Sequence, residues 1–204
     1  MESQLPPKNE KETDMAVLFT FPKFSASSSF VLAVLLFCIS SATITEGKLN
    51  IGKKLTRGLV AEVCIQTRNP NFCLDMLEND PRTEYFDLFG LASIALNHAF
   101  VSATDAQTYN RNLFDSAPPE LKRRYQMCDL LYQVILDDLR FAGEELDDGK
   151  YGTAKGHAND IGVRVDHCEN VFTDEPKMQS PLAEKNQNLG DITDILVCAI
   201  NRIL

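Results

Sequence analysis

Apolar residues recur along the second half of the chain at steps of three and four. Across residues 118–146 the positions Leu121, Tyr125, Cys128, Tyr132, Ile135, Leu139, Ala142 and Leu146 fall on one face of a long helix. Ser116 stands as a capping residue ahead of Pro118 and Pro119, which suit a first helical turn, and Asp147, Asp148 and Gly149 mark the other end. The period resumes at Tyr151 and runs through Ala154, Ala158, Ile161, Val165, Cys168 and Phe172, which predicts a second helix folding back on the first. Two more helices are read from Tyr85, Leu88, Ala92, Leu96, Ala99 and Ala103, and from Leu189, Ile192, Leu196, Ala199 and Ile203. No sustained alternation of the kind that marks strands is present. The pattern therefore predicts an all-α fold, an antiparallel up-and-down four-helix bundle over residues 84–204. Ahead of it, residues 55–66 are weakly helical, Asn69, Pro70 and Asn71 read as a turn, and FCLDMLEN resumes the helix. That is a short helical hairpin over residues 43–83, and residues 43–204 read as one domain.

One apolar stretch does not fit this scheme. Residues 30–39 (FVLAVLLFCI) are uninterrupted, shorter than the ~20 residues of a permanent membrane span, and followed by the small residues Ser40, Ser41 and Ala42. Residues 1–42 read as a secretory signal cleaved near Ala42, and no stable membrane insertion is expected afterwards. A charged stretch precedes Met15, which is then either the true start or a sign of a retained anchor.

An exported protein makes its cysteines informative. Cys38 leaves with the signal, and Cys64, Cys73, Cys128, Cys168 and Cys198 remain. The turn between the two long helices lies near Asp148, with Cys128 twenty positions before it and Cys168 twenty after. Both lie on the apolar stripe, so an antiparallel pair brings them level and predicts a bridge. Closing such a loop contributes about 4 kcal/mol in the chain-entropy picture. Cys64 and Cys73 flank the hairpin turn, where either a local bridge or two buried thiols is open. Cys198 lies beside the stripe of the last helix and reads as a free thiol, either buried and inert or available for redox chemistry or dimerisation.

Composition and motifs narrow the function. The chain has 204 residues, 44% hydrophobic and 24% charged, with a formal net charge of -9 and no dense basic cluster, which speaks against nucleic-acid binding. There is no nucleophile elbow, glycine-rich phosphate loop, HExxH or CxxC. His98, beside Leu96 and Ala99, reads as a satisfied core or boundary residue, and His167 diverges from Cys168 by about 100° on a helix, a poor joint ligand set. The acidic pairs at 137–138, 144–145 and 147–148 read as decoration of solvent faces and helix ends rather than a catalytic pair. No catalytic, cofactor-binding or metal-binding residue is assigned.

The chain resembles the plant invertase and pectin methylesterase inhibitor family across residues 55–204. The resemblance is carried by VCIQTRNPNFCLDML, DPRT, LFGLASIAL, YQMCDLLYQVILDDL, DDGKYGTA, VDHCENVF, SPLAEKN and DILVCAINRIL, in that order. It implies a secreted helical inhibitor with a small hairpin, a four-helix bundle and two bridges, Cys64–Cys73 and Cys128–Cys168. The partner it implies is a plant cell-wall enzyme in the apoplast, with the vacuole as the other location, and it implies no catalysis.

The family has two branches, one capping pectin methylesterase at its substrate cleft and one blocking acid invertase. Invertase inhibitors carry a Pro-Lys-Phe motif in the turn between the bridged helices, where this chain has Gly149, Lys150 and Tyr151. Lys150 and Tyr151 either present a cation and a ring to an acidic active site or simply pack. The uninterrupted period from Tyr151 to Cys168 resembles the methylesterase-inhibitor branch more closely. The resemblance places the target-facing surface on residues 118–172, where Asp129, Asp137 and Asp138 are expected as exposed charges that either steer a basic partner or merely solvate a helix face. A secreted or anchored helical interaction module without an enzyme target is the remaining class.

Overall fold

Short polar signals set where each helix begins and ends. The computed structural model describes residues 57–204 except Phe86 and Pro176, so the expected signal segment lies outside the described residues. Helix α1 is described over residues 57–64. Helix α2 (Pro70–Asn79) starts on Asn69, whose Oδ1 accepts a bond from the Phe72 N–H, with Pro70 at the first helical position. Asn69 and Pro70 thus open the helix, and the turn lies upstream at residues 65–68. A 3-10 turn (Pro81–Tyr85) takes Tyr85 out of the helix that the apolar spacing suggested. Helix α3 (Leu88–Ser116) begins instead at Asp87, whose Oδ1 accepts from the Gly90 N–H at 2.9 Å.

Helices α4 (Pro119–Asp147), α5 (Tyr151–Asn170) and α6 (Ala183–Ile203) complete the chain. Ser116 does not cap α4. It is the last residue of α3, and its hydroxyl donates back to the Asn112 and Leu113 carbonyls, leaving Pro118 at the N-cap without a side-chain bond. The α4–α5 reversal is a Schellman motif. Gly149 sits at φ 72°, its N–H donates to Leu146 O at 3.0 Å, and the Lys150 N–H donates to Glu145 O at 2.8 Å. A residue without a Cβ is what this left-handed position favours.

Helices α3 to α6 pack in a ring in which α3 adjoins α4, α4 adjoins α5, α5 adjoins α6 and α6 adjoins α3. Two disulfides brace the fold. Cys128 of α4 and Cys168 of α5 are bonded with their Cα atoms 5.0 Å apart, and Cys64 and Cys73 are bonded at 5.3 Å. The core has two parts. One gathers Ala103, Tyr132, Ile135, Leu139, Ile161, Phe172 and Leu189 of the bundle. The other joins Leu91, Ile94, Leu146, Ile195 and Leu196 to Val60, Val63 and Leu77 of the hairpin, which therefore shares the bundle's core rather than hanging from it. The hairpin is also tied to α6 by polar bonds: Arg68 N–H donates to Asp194 at 2.7 Å, Asn69 Nδ2 to Asp191 at 3.1 Å, and Arg202 pairs with Glu62.

Candidate functional site

The braced α4–α5 hairpin carries all five residues singled out as contacts, and the structure gives them different fates. Asp138 is buried, not exposed. Its Oδ1 lies 3.2 Å from His157 Nδ1 and its Oδ2 lies 3.1 Å from Arg164 Nη1, both on α5. The position falls on the seam between the two helices, where a carboxylate is tolerated because two cationic or donating side chains face it. Asp129 is also committed. It accepts from Arg111 Nε at 2.7 Å and from Gln133 Nε2 at 2.9 Å, linking α4 to α3. Only Asp137 projects into solvent, loosely paired with Arg140 at 3.8 Å.

In the reversal, Lys150 Nζ lies 2.8 Å from Asp148 and 3.4 Å from Glu145. Both carboxylates push its ammonium upward from the ordinary lysine value, so it stays charged. Tyr151 is half-buried and packs on the hairpin-side part of the core. The cation is thus paired within the chain while staying exposed, and the ring is half-buried.

Among the mostly polar positions that α4 leaves to solvent are three large apolar ones. Leu130, Val134 and Phe141 are 57%, 42% and 39% exposed. With Asp137 they repeat at steps of four, three and four, a single stripe on the outer face of the helix. Phe141 is held in place on both sides. Its ring stacks on His157 with centroids 5.4 Å apart, and the Arg140 guanidinium lies 4.2 Å from its centroid. In the sequence they stand among the apolar residues of α4 outside the buried stripe together with Met127, Leu131 and Leu136, which the structure half-buries, so the apolar pattern alone does not single them out.

Elsewhere, His98 is a boundary residue whose Nε2 lies 2.9 Å from Asp80 Oδ2, and Arg82 grips both oxygens of that carboxylate. The Arg82 guanidinium holds Asp80 well below the usual carboxylate range against the opposing cost of burial. Cys198 is buried, and burial, with a smaller push from Asp194, raises its thiol to about 11. Tyr132 donates to Asn186 at 2.5 Å inside the bundle, and burial raises its phenol above the ordinary value. Among the described residues no group of three or more metal-ligating side chains comes together, and no helix is long and apolar enough to cross a membrane.

Comparison with known proteins gives this disulfide-braced helical scaffold its class. The chain matches the plant invertase/pectin methylesterase inhibitor family over residues 58–198 and belongs to it. It is 30% identical over 176 residues to a pectinesterase inhibitor of Actinidia deliciosa, covering 86% of this chain and 94% of that protein. It is 29% identical to the cell wall / vacuolar inhibitor of fructosidase 2 of Arabidopsis thaliana, covering 72% of this chain and 80% of that one. The fold is also that of a crystallised mutant form of a pectin methylesterase inhibitor from Arabidopsis, with a TM-score of 0.63 at 21% identity, covering 70% and 95% of the two chains. The family is one of enzyme inhibitors, and this chain is not an enzyme.

Proposed function

We propose that this protein is a secreted inhibitor of pectin methylesterase, acting in the extracellular wall space by forming a stoichiometric complex that covers the enzyme's substrate cleft. The observation that carries the choice of target is the reversal at Gly149. A proline there is incompatible with a φ of 72° and would remove the N–H that donates to Leu146, so the Pro-Lys-Phe arrangement has no place in this turn. Lys150 and Tyr151 are engaged by their own chain. The α4 stripe is exposed on the same hairpin, with Asp137 among its apolar residues, and an apolar centre with a polar surround suits a protein partner.

Secretion rests on the apolar run at residues 30–39 with the small residues after it. Acid invertase is the second reading, favoured by relatives named as inhibitors of fructosidase. Titration of the oxidised chain against a plant pectin methylesterase and a cell-wall acid invertase separates the two. Stoichiometric loss of methylesterase activity alone supports the proposal. Loss of invertase activity alone transfers the role to the second reading, and inhibition of neither leaves a helical interaction module.

A further inference from the structure

The two disulfides do not bracket every connection between helices. Cys64–Cys73 closes the turn between α1 and α2, and Cys128–Cys168 closes the α4–α5 reversal, so a chain cut inside either loop stays in one covalent piece. The segment from α5 to α6 has no such bracket. Helix α6 carries the free thiol Cys198 and no bridge, so its covalent hold on the rest runs only through residues 171–182.

One bond of that segment is set apart by its surroundings. Among the described residues, four cationic side chains lie outside the α-helices. The Arg68 guanidinium donates to the Gly190 carbonyl, Arg82 grips Asp80, and Lys150 is paired with Asp148 and Glu145. The fourth, Lys177, is exposed on irregular backbone and makes no hydrogen bond or ion pair with another described residue. Gln179 is equally exposed and free, and between them the Met178 N–H donates to the Phe172 carbonyl at 3.1 Å. A protease has to draw several residues of backbone into its cleft, which helices and ion-paired turns resist and a surface loop held by few bonds allows.

We propose that the Lys177–Met178 bond is a cleavage site for an endopeptidase whose S1 pocket holds a carboxylate, and that cutting there switches the inhibitor off. The loss of inhibition rests on the inhibitor reading above, and the cleavage itself does not. Lys177 supplies the cation that such a pocket selects. Water adds across the peptide bond: its oxygen joins the Lys177 carbonyl carbon, the bond to the Met178 nitrogen breaks, and the products are a carboxylate on Lys177 and an ammonium on Met178. The consequence lies in the core. Leu189 and Ile192 of α6 enter one part of it, and Ile195, Leu196 and Ile200 enter the other, and after the cut packing alone holds them there. Docking of α6 then becomes an association of two pieces in place of an intramolecular step with an effective concentration on the order of millimolar, so it weakens on dilution.

Limited digestion of the oxidised chain with trypsin, read by mass spectrometry without reduction, tests the site. The expected first cut within residues 57–204 follows Lys177 and gives two pieces that part in denaturant with both disulfides intact. Lys177→Gln removes a cation that has no partner, so this variant keeps the melting temperature and inhibition of the wild type and withstands the same digestion. Residual-activity titrations at submicromolar concentration, with the trypsin quenched, then compare the two digested chains. The cut wild type loses affinity by about tenfold or more, while Lys177→Gln keeps it. A first cut after Arg68, Arg82 or Lys150, or within a helix, overturns the site. A cut after Lys177 that leaves inhibition unchanged overturns the switch. If the uncut chain inhibits neither enzyme, the inhibitor reading falls and the switch with it, while the cleavage site stands or falls on the mass spectrum alone.

Discussion

His157 stands between a buried carboxylate and an exposed ring: its Nδ1 lies 3.2 Å from Asp138 while its imidazole stacks on Phe141. The stack places an aromatic surface on the outside of α4, and the carboxylate fixes the imidazole from within. An interaction internal to the α4–α5 seam thereby sets the position of a side chain available to a partner.

Phe141→Ala removes that surface. Since Phe141 is 39% exposed, its loss changes stability by less than about 1 kcal/mol, while affinity for the inhibited enzyme falls about tenfold or more. Thermal unfolding and a residual-activity titration on the same sample separate the two effects.

Asp138→Ala acts in the opposite way. It leaves His157 and Arg164 facing a cavity without their carboxylate, at a cost of about 2–3 kcal/mol once the partial exposure of both partners is allowed for. Urea unfolding measures this, and a change below about 0.5 kcal/mol would show the pair to be energetically idle.

Gly149→Ala places a Cβ in the left-handed region and lowers stability by about 1–2 kcal/mol. Gly149→Pro costs more, because it also removes the bond to Leu146. Neither variant gains activity against invertase. A Gly149→Pro protein that folds as well as the wild type and blocks invertase would contradict both the turn geometry and the assigned target.

Cys198 is expected to resist alkylation in the folded state. With its thiol raised to about 11, only roughly one part in a thousand is thiolate at pH 8, and the side chain is also shielded. Iodoacetamide should label it only after unfolding, and Cys198→Ser should retain both disulfides and full inhibition. Rapid labelling of native protein would contradict its placement.

Asp80 supplies a pH-dependent part of stability. Its folded-state carboxyl titrates far below the unfolded value of about 3.9, so its contribution is complete above that value and is lost as pH falls from there toward the folded one. Asp80→Asn is therefore less stable than wild type by about 1–2 kcal/mol at pH 5–8, Arg82 being half exposed, and the gap narrows progressively as pH falls below about 4. A gap independent of pH would assign the loss to packing rather than charge.

The bundle was legible where the apolar period is unbroken. In α4 and α5 every third or fourth residue is apolar from Leu121 to Phe172, and the equal distances of Cys128 and Cys168 from the turn fixed their pairing. The second half of α3 was not legible, because its buried positions include Gln107 and Asn110, which donate to the Asp129 and Tyr125 carbonyls across the helix interface. Such polar residues look like surface until their distant acceptors are known. The candidate site failed in the same way. Asp129 and Asp138 resemble Asp137 in sequence, yet Arg111, His157 and Arg164 decide which carboxylates remain free, and those partners lie on other helices.

The docking of the hairpin on α6 bears on the order in which the chain can assemble. Glu62 and Arg202 are 140 residues apart, and Arg68 and Asp194 are 126 apart. The α4–α5 pair closes over 40 residues or fewer and can form early, whereas α1 and α2 must wait for the final helix. Until Ile195, Leu196 and Ile200 are available, Val60, Val63 and Leu77 have no complete core to enter. The chain therefore has to extend through α6 before the first helices can settle, and truncation within α6 costs structure in the hairpin as well as in α6 itself.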